Sequence, residues 1–155
     1  MEIGQVALRA GRNVIATSRN PSKSPDAVSA ITSNSNGRWL PLDVTASEES
    51  IARTIAEAGT LFGPIDVLVN NAAHAVLSAA EEVPEEAARE EYETNYWGPL
   101  KIIRAVLPSM RERKSGTIVK VLGSCSTKYG CDRRRSQQSQ VEEHLACSLA
   151  IISEA

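Results

Sequence analysis

The sequence predicts an α/β fold in which a parallel sheet is covered by helices on both faces. Short runs rich in Val, Ile and Leu occupy residues 13–17, 38–42, 65–69 and 117–122. Each run is apolar along most of its length, as strands buried on both faces are. Segments of helical periodicity separate these runs. Strands that alternate with helices in this way build a doubly wound sheet.

Length, composition and charge place the chain among ordinary globular domains. It has 155 residues, of which 42% are hydrophobic and 23% are charged. A net charge of −2 gives no reason to expect nucleic acid or an anionic membrane surface as a partner. No apolar run is long enough to cross a bilayer, and the first residues lack signal-peptide character. We therefore expect one domain over residues 1–155, located in the cytoplasm.

The first half of the chain predicts helices with recognisable ends. Residues 5–10 form the end of a helix that Gly11 stops. Residues 22–37 leave two interpretations open, a plain loop or a loop around a short helix. Thr45 and Glu48 have the spacing of a capping box and predict the start of another helix.

The second half predicts one long helix and one short one. Pro84 opens an acidic helix that continues to about residue 113, with a kink expected at Pro99. Residues 141–152 recover a helical pattern. Cys125, Cys131 and Cys147 match no zinc-binding spacing and are expected to be free thiols.

Polar residues stand where each predicted strand ends. Arg19 follows the first strand, Asp43 the second, Asn71 the third and Ser124 the fourth. Ligands of open α/β sheets bind outside the carboxyl ends of the strands. Four such residues in the same register predict a cofactor site at this edge of the sheet.

Five motifs in one order resemble the short-chain dehydrogenase/reductase family, over roughly residues 5–123. The most specific is Val-Leu-Val-Asn-Asn-Ala-Ala at 67–73, because it combines a buried strand with the polar turn that follows it. The others are Val-Ile-Ala-Thr-Ser-Arg-Asn-Pro at 14–21, Leu-Asp-Val-Thr at 42–45, Asn-Tyr-Trp-Gly at 95–98 and Gly-Thr-Ile-Val at 116–119. The resemblance implies an incomplete Rossmann-like doubly wound parallel sheet, in which the family's first strand with its glycine-rich loop and its last strands are missing. It also implies an oxidoreductase acting on a carbonyl or a secondary alcohol.

The resemblance also implies which residues would hold the nucleotide. Asp43 would accept a hydrogen bond from the adenine amino group, and Asn71 with the backbone of Ala72 would line the adenine-ribose side. Arg19 would meet the ribose 2′-phosphate, because a guanidinium binds phosphate bidentately where an acidic residue would select NAD. NADP is therefore expected rather than NAD. Arg104 matches a basic position that some members use near the cofactor.

For catalysis, the resemblance implies a helix asparagine that organises a proton-relay water, and a serine that holds the substrate oxygen. Asn95 occupies the asparagine place. The serine place falls on Gly123, and Ser124 stands one residue later. The reactive tyrosine and lysine places fall on Ser136 and Gln140, which cannot replace a phenolate beside an ammonium.

Two further departures from the family pattern are visible. The first strand and its glycine-rich turn are represented by no more than Ile3-Gly4. The sheet is thus expected to lack its central strand and to leave unpaired edges on residues 14–17 or 67–69. Residues 124–140 form a divergent segment with almost no aliphatic side chains, in which Tyr129 and Arg133 mimic the spacing of the reactive pair.

Two alternatives to an active enzyme stay open on these grounds. One is a catalytically inactive remnant that binds nucleotide weakly, or pairs with a second copy or a full-length relative through the helices near Asn95 and Val141. The other is a mis-predicted gene fragment. An active protein would take a small-molecule substrate.

Overall fold

Five strands form one mixed sheet in the computed structural model, which describes residues 2–76, 78–121 and 149–153. Their order across the sheet is β2-β1-β5-β3-β4. The strands are β1 (Asn13–Ser18), β2 (Gly37–Pro41), β3 (Val67–Asn70), β4 (Thr117–Lys120) and β5 (Leu149–Ser153). The pairs β1–β2 and β3–β4 are parallel, whereas β5 runs antiparallel to both of its neighbours. The predicted α/β class is confirmed.

The helices cover both faces of this sheet, as the sequence predicts. They are α1 (Glu2–Arg9), α2 (Pro25–Thr32), α3 (Glu48–Leu61), α4 (Glu85–Tyr92) and α5 (Gly98–Arg113). A π-helical turn, Glu93–Trp97, joins α4 to α5. Two short 3₁₀ turns, Pro21–Lys23 and Ala80–Glu82, lie in loops. The open question over residues 22–37 is settled in favour of a short helix, α2.

The core consists of two clusters, one on each face. On one face, α3 and α5 bury a stripe of side chains at helical spacing against the sheet: Ile51, Ile55, Ala58, Ile102, Val106 and Met110. On the other face, Leu8 of α1 and Ile31 of α2 pack against Val14 and Ala16 of β1. Strand β1 is thus buried on both sides, which explains its unbroken apolar run.

The expected gap at the centre of the sheet is not there. Strand β5 lies between β1 and β3, with Ala150 paired to Ala16 on one side and to Val69 on the other. The expectation of unpaired edges on residues 14–17 or 67–69 is therefore wrong. The prediction of a helix over residues 141–152 is also wrong in the part that the structure describes, because residues 149–153 form a strand. A run as short as Leu-Ala-Ile-Ile suits a buried strand as well as a helix face, and pairing with two strand edges decides between them.

The structure corrects the predicted start of two helices. Ser47, and not Thr45, caps α3, because its side chain accepts a hydrogen bond from the amide of Ser50. Pro84 is the N-cap of α4, one residue before the first helical position.

Some of the predictions fall on residues that the structure does not describe: Ser124, the three cysteines, Val141 and the segment 124–140. Among the helices that the structure describes, none is long and apolar enough to cross a membrane.

Candidate functional site

The carboxyl ends of β1, β2 and β3 meet at one edge of the sheet, because these strands run in the same direction. Arg19 directly follows β1 and is exposed. Asp43 lies two residues beyond β2 and is half-buried. Asn71 and Ala72 follow β3, and Ala72 packs against the core. The structure thus places four of the five predicted nucleotide residues at this edge, while their roles in binding stay predictions.

The carboxylate of Asp43 is held in a fixed orientation by the turn that follows it. Its Oδ1 accepts a hydrogen bond from the backbone amide of Thr45 at 2.9 Å and another from the Thr45 hydroxyl at 2.7 Å. This turn replaces the capping role expected of Thr45. Since Oδ1 makes both bonds, Oδ2 is the oxygen that could accept from an adenine amino group.

The side chain of Asn95 binds the loop that follows β3. Its Oδ1 accepts from the backbone amide of His74 at 2.8 Å, and its Nδ2 donates to the carbonyl oxygen of the same residue at 2.6 Å. Both polar atoms of the Asn95 side chain are therefore hydrogen-bonded to the backbone of His74, three residues beyond Asn71. In this arrangement Asn95 positions the loop that carries the predicted adenine-ribose residues.

The backbone of Asn95 lies in a turn of unusual geometry. Gly98 donates to the carbonyl of Glu93, a bond of the π type. In an α-helix the residue at 99 would donate to the carbonyl of Asn95, but Pro99 has no N–H. The side chain of Lys120, at the end of β4, donates to that carbonyl instead, with Nζ 2.5 Å from the oxygen. Partial burial lowers the pKa of Lys120 below its usual 10.5.

Sequence reasoning missed Lys120. The available signal was a lysine inside the predicted buried strand 117–122, where an apolar residue is usual. Its partner could not be found from spacing, because Asn95 and Lys120 are 25 residues apart and the bond depends on the π-turn.

Two cations of α5 form ion pairs with carboxylates. Lys101 Nζ lies 2.5 Å from Glu93 Oε1. Arg104 lies on the exposed side of α5, with its Nη1 3.1 Å from Glu48 Oε1. Both members of this second pair are more than 60% exposed, so the ion pair adds little stability. A role for Arg104 near a cofactor stays a prediction.

The residues at this edge fit one end of a dinucleotide better than the other. A phosphorylated adenosine could be bound by the guanidinium of Arg19, by the Oδ2 oxygen of Asp43, and by the loop after β3. A pyrophosphate is held in doubly wound folds by the helix N-terminus that follows the central strand. Here the central strand β5 runs the opposite way, with Ser153 at the opposite edge. The described residues therefore supply no such helix to the site.

Comparisons with known proteins agree with this architecture. The family model described as short chain dehydrogenase matches residues 1–134. Oxidoreductase claN of Passalora fulva is 38% identical over 120 residues, which cover 77% of this chain and 53% of that protein. Across eight curated relatives, the chain spans between 36% and 53% of their length.

Solved structures give the same result. A short-chain dehydrogenase from Streptomyces avermitilis is similar with a TM-score of 0.68 and 38% identity, covering 76% of this chain and 42% of that one. ElxO with NADP bound is similar with a TM-score of 0.67 and 30% identity, covering 75% of this chain and 48% of that one.

Proposed function

The chain belongs to the short-chain dehydrogenase/reductase family, and from that premise we propose that it is a cytoplasmic NADP-dependent oxidoreductase. Its substrate would be a small carbonyl compound or secondary alcohol. A bound nicotinamide would supply or accept the hydride. The residues of this chain would bind the adenosine end of the nucleotide and position the loop after β3.

The observation that carries the proposal is the set of polar groups at the carboxyl edge of the sheet. Arg19 is exposed directly after β1, where its charge is available to a 2′-phosphate. Asp43 presents an oriented carboxylate after β2. The similar structure of ElxO, which has NADP bound, supports the choice of nucleotide.

A second candidate function is favoured by the antiparallel central strand. Since β5 brings no helix N-terminus to the site, the chain would bind the adenosine 2′-phosphate portion alone and would not orient a nicotinamide. It would then be a catalytically inactive nucleotide-binding member of the family. Ser124, the predicted catalytic serine, belongs to the active-enzyme proposal.

Thermal unfolding with and without nucleotide tests the proposal. A ligand that binds only the folded state, at a hundred times its dissociation constant, adds about 2.7 kcal/mol of stability. We expect NADPH to raise the midpoint more than NADH, and Arg19→Ala to remove the difference. Arg53→Ala, which changes an exposed arginine on α3, is the control. Indifference to both nucleotides would contradict the proposal.

The proposal includes self-association through the helices near Asn95 and Val141. Three large aromatic side chains beside Asn95 support the first of these surfaces: Tyr92, Tyr96 and Trp97 are 67%, 55% and 47% exposed. Sedimentation of the wild type and of Tyr96→Ser tests it. The wild type should sediment as a dimer and the variant with a weaker association. A monomeric wild type would contradict it.

A further inference from the structure

The two segments predicted to hold adenosine follow strands that are not neighbours in the sheet. Asp43 belongs to the turn after β2 (residues 43–46), and Asn71 to the loop after β3 (residues 71–76). Strands β1 and β5 lie between β2 and β3. Three strand spacings, or about 14 Å, therefore separate the two strands. Pairing within the sheet does not by itself bring the turn and the loop together.

The start of α5 packs directly against the turn after β2. Gly98 is buried, and a Cβ added to it would lie only 2.8 Å from the carbonyl oxygen of Val44. Three residues later, and therefore on the same face of the helix, Lys101 donates from its Nζ to the carbonyl oxygen of Ala46 at 3.3 Å. The amide of Ala46 donates in turn to the carbonyl oxygen of Asp43 at 3.2 Å. Helix α5 thus holds the turn that orients the Asp43 carboxylate.

The same ammonium is bonded to the π-turn. Lys101 Nζ lies 2.5 Å from Glu93 Oε1, and Glu93 is the first residue of the π-turn. Two residues further along, Asn95 bonds both polar atoms of its side chain to the backbone of His74. A continuous series of bonds therefore leads from the turn after β2, through Lys101 and the π-turn, to the loop after β3.

The side chain of Lys101 is unusually buried for a lysine. It is 19% exposed, whereas the side chain of Glu93 is 38% exposed. Lysines are rarely buried unless their ammonium is paired, and here the oxygens of Glu93 and Ala46 are its acceptors. Removal of the ammonium would leave a half-buried carboxylate without this partner, which favours its turning toward water. The π-turn and the turn after β2 would then lose their common donor.

We propose that Lys101 is a positioning residue that couples the turn after β2 to the loop after β3 and so sets the separation between the two walls of the adenosine site. Lys101 contacts no nucleotide and acts through the two segments that do. When both segments are held before a nucleotide arrives, less ordering is required on binding. The effect on nucleotide binding rests on the proposed function, whereas the coupling is a property of the nucleotide-free chain.

Hydrogen exchange in the nucleotide-free chain tests the coupling. The amides of Thr45 and His74 are each bonded to a side-chain oxygen, so their exchange reports local opening of the two segments. Lys101→Met should accelerate both by about fivefold or more, relative to the amides of β1. This reference separates local opening from a loss of global stability. Acceleration at Thr45 alone would show that Lys101 supports only its own turn and would overturn the coupling.

Two further variants control for the loss of a cation. Lys101→Arg keeps a positive charge and N–H donors, and it should restore most of the protection at both amides. Arg111→Met removes an exposed cation from the last turn of α5 and should change neither amide. An effect of Arg111→Met equal to that of Lys101→Met would show that only the charge of the helix matters.

A double-mutant cycle separates coupling from two independent stabilising contacts. Coupling is reciprocal, so Asn95→Ala should also accelerate exchange at Thr45, on the far side of Lys101. In a Lys101→Met background, Asn95→Ala should add nothing at Thr45, because the connection is already removed. Exchange at Thr45 that does not respond to Asn95→Ala would overturn the proposal.

Calorimetric titration with adenosine 2′,5′-bisphosphate and with adenosine 5′-monophosphate tests the consequence for binding. Lys101→Met should weaken both by the same factor, about five- to tenfold, because it disturbs the adenosine site and not a phosphate contact. Arg19→Ala should weaken the bisphosphate alone, and Lys101→Arg should bind both as the wild type does. Unchanged affinity in Lys101→Met, or a loss confined to the bisphosphate, would overturn the positioning role.

The two experiments distinguish failure of this inference from failure of the proposed function. A wild type that binds neither nucleotide contradicts the proposed function, and the exchange measurements at Thr45 and His74 then still decide whether Lys101 couples the two segments. A wild type that binds nucleotide, with Lys101→Met binding equally well, retains the proposed function and overturns the role of Lys101.

Discussion

Lys120 Nζ lies 2.5 Å from the backbone carbonyl oxygen of Asn95 and takes the place of the amide that Pro99 lacks. This bond joins the end of β4 to the π-turn between α4 and α5. Through the side chain of Asn95, the same turn holds the loop after β3. Hydrogen bonds therefore connect Asn95, which is predicted to act in catalysis, to the loop that carries the predicted nucleotide residues.

Removing the Lys120 ammonium should weaken the fold locally. Lys120→Met leaves the Asn95 carbonyl without its side-chain donor, and we expect a loss of about 1 kcal/mol in the free energy of unfolding. Urea denaturation measures the loss. Lys23→Met, at an exposed position in a 3₁₀ turn, should change the free energy little. Equal effects of the two substitutions would show that the Lys120 contact contributes nothing.

The pKa of Lys120 predicts a dependence of stability on pH. Burial lowers the pKa in the folded state below the usual 10.5, so the unfolded chain binds more protons in the interval between the two values. The contribution of Lys120 to stability should rise as the pH increases through the folded-state pKa toward 10.5. The difference in unfolding free energy between wild type and Lys120→Met, followed from neutral pH upward, isolates this contribution. A difference that falls over that interval would contradict the assignment.

The side chain of Asn95 should determine the order of the loop after β3. Asn95→Ala removes both bonds to His74, and we expect faster hydrogen exchange at the His74 amide and a loss of about 1–2 kcal/mol in stability. Thr94→Ala, in the same π-turn, is the matched control. Unchanged exchange at His74 in Asn95→Ala would show that the loop is held by other contacts.

Two helical glycines should respond to alanine in opposite directions. A Cβ on Gly98 would lie 2.8 Å from the carbonyl oxygen of Val44 and 3.0 Å from its Cβ, so Gly98→Ala should destabilise the protein. A Cβ on Gly59 would meet no atom within 4 Å, and Gly59→Ala should stabilise α3 by about 0.5–1 kcal/mol. Thermal unfolding of the two variants compares them. The same sign for both would contradict the packing described here.

Local sequence patterns were sufficient to predict much of this fold. The apolar runs at 13–17 and 65–69 predicted β1 and β3 because strands buried on both faces have few other compositions. The family motifs placed Arg19, Asp43, Asn71 and Ala72 at one edge, since turns after parallel strands necessarily meet there.

The features that were missed depend on contacts distant in sequence. Whether residues 149–152 form a helix or a strand depends on two strand edges more than 75 residues earlier, and periodicity within four residues cannot reveal them. The donor to Asn95 was missed for a similar reason. Pro99 predicted a kink, but not that the freed carbonyl would find Lys120.

Titration of the full chain with adenosine 2′,5′-bisphosphate tests the central claim most directly, because this compound is the portion of NADP that the described residues could hold. We expect binding that is tighter than that of adenosine 5′-monophosphate, weakened at least tenfold by Arg19→Ala and unchanged by Arg53→Ala. Equal affinity for the two nucleotides, or equal effects of the two substitutions, would contradict a nucleotide site at the carboxyl edge of this sheet.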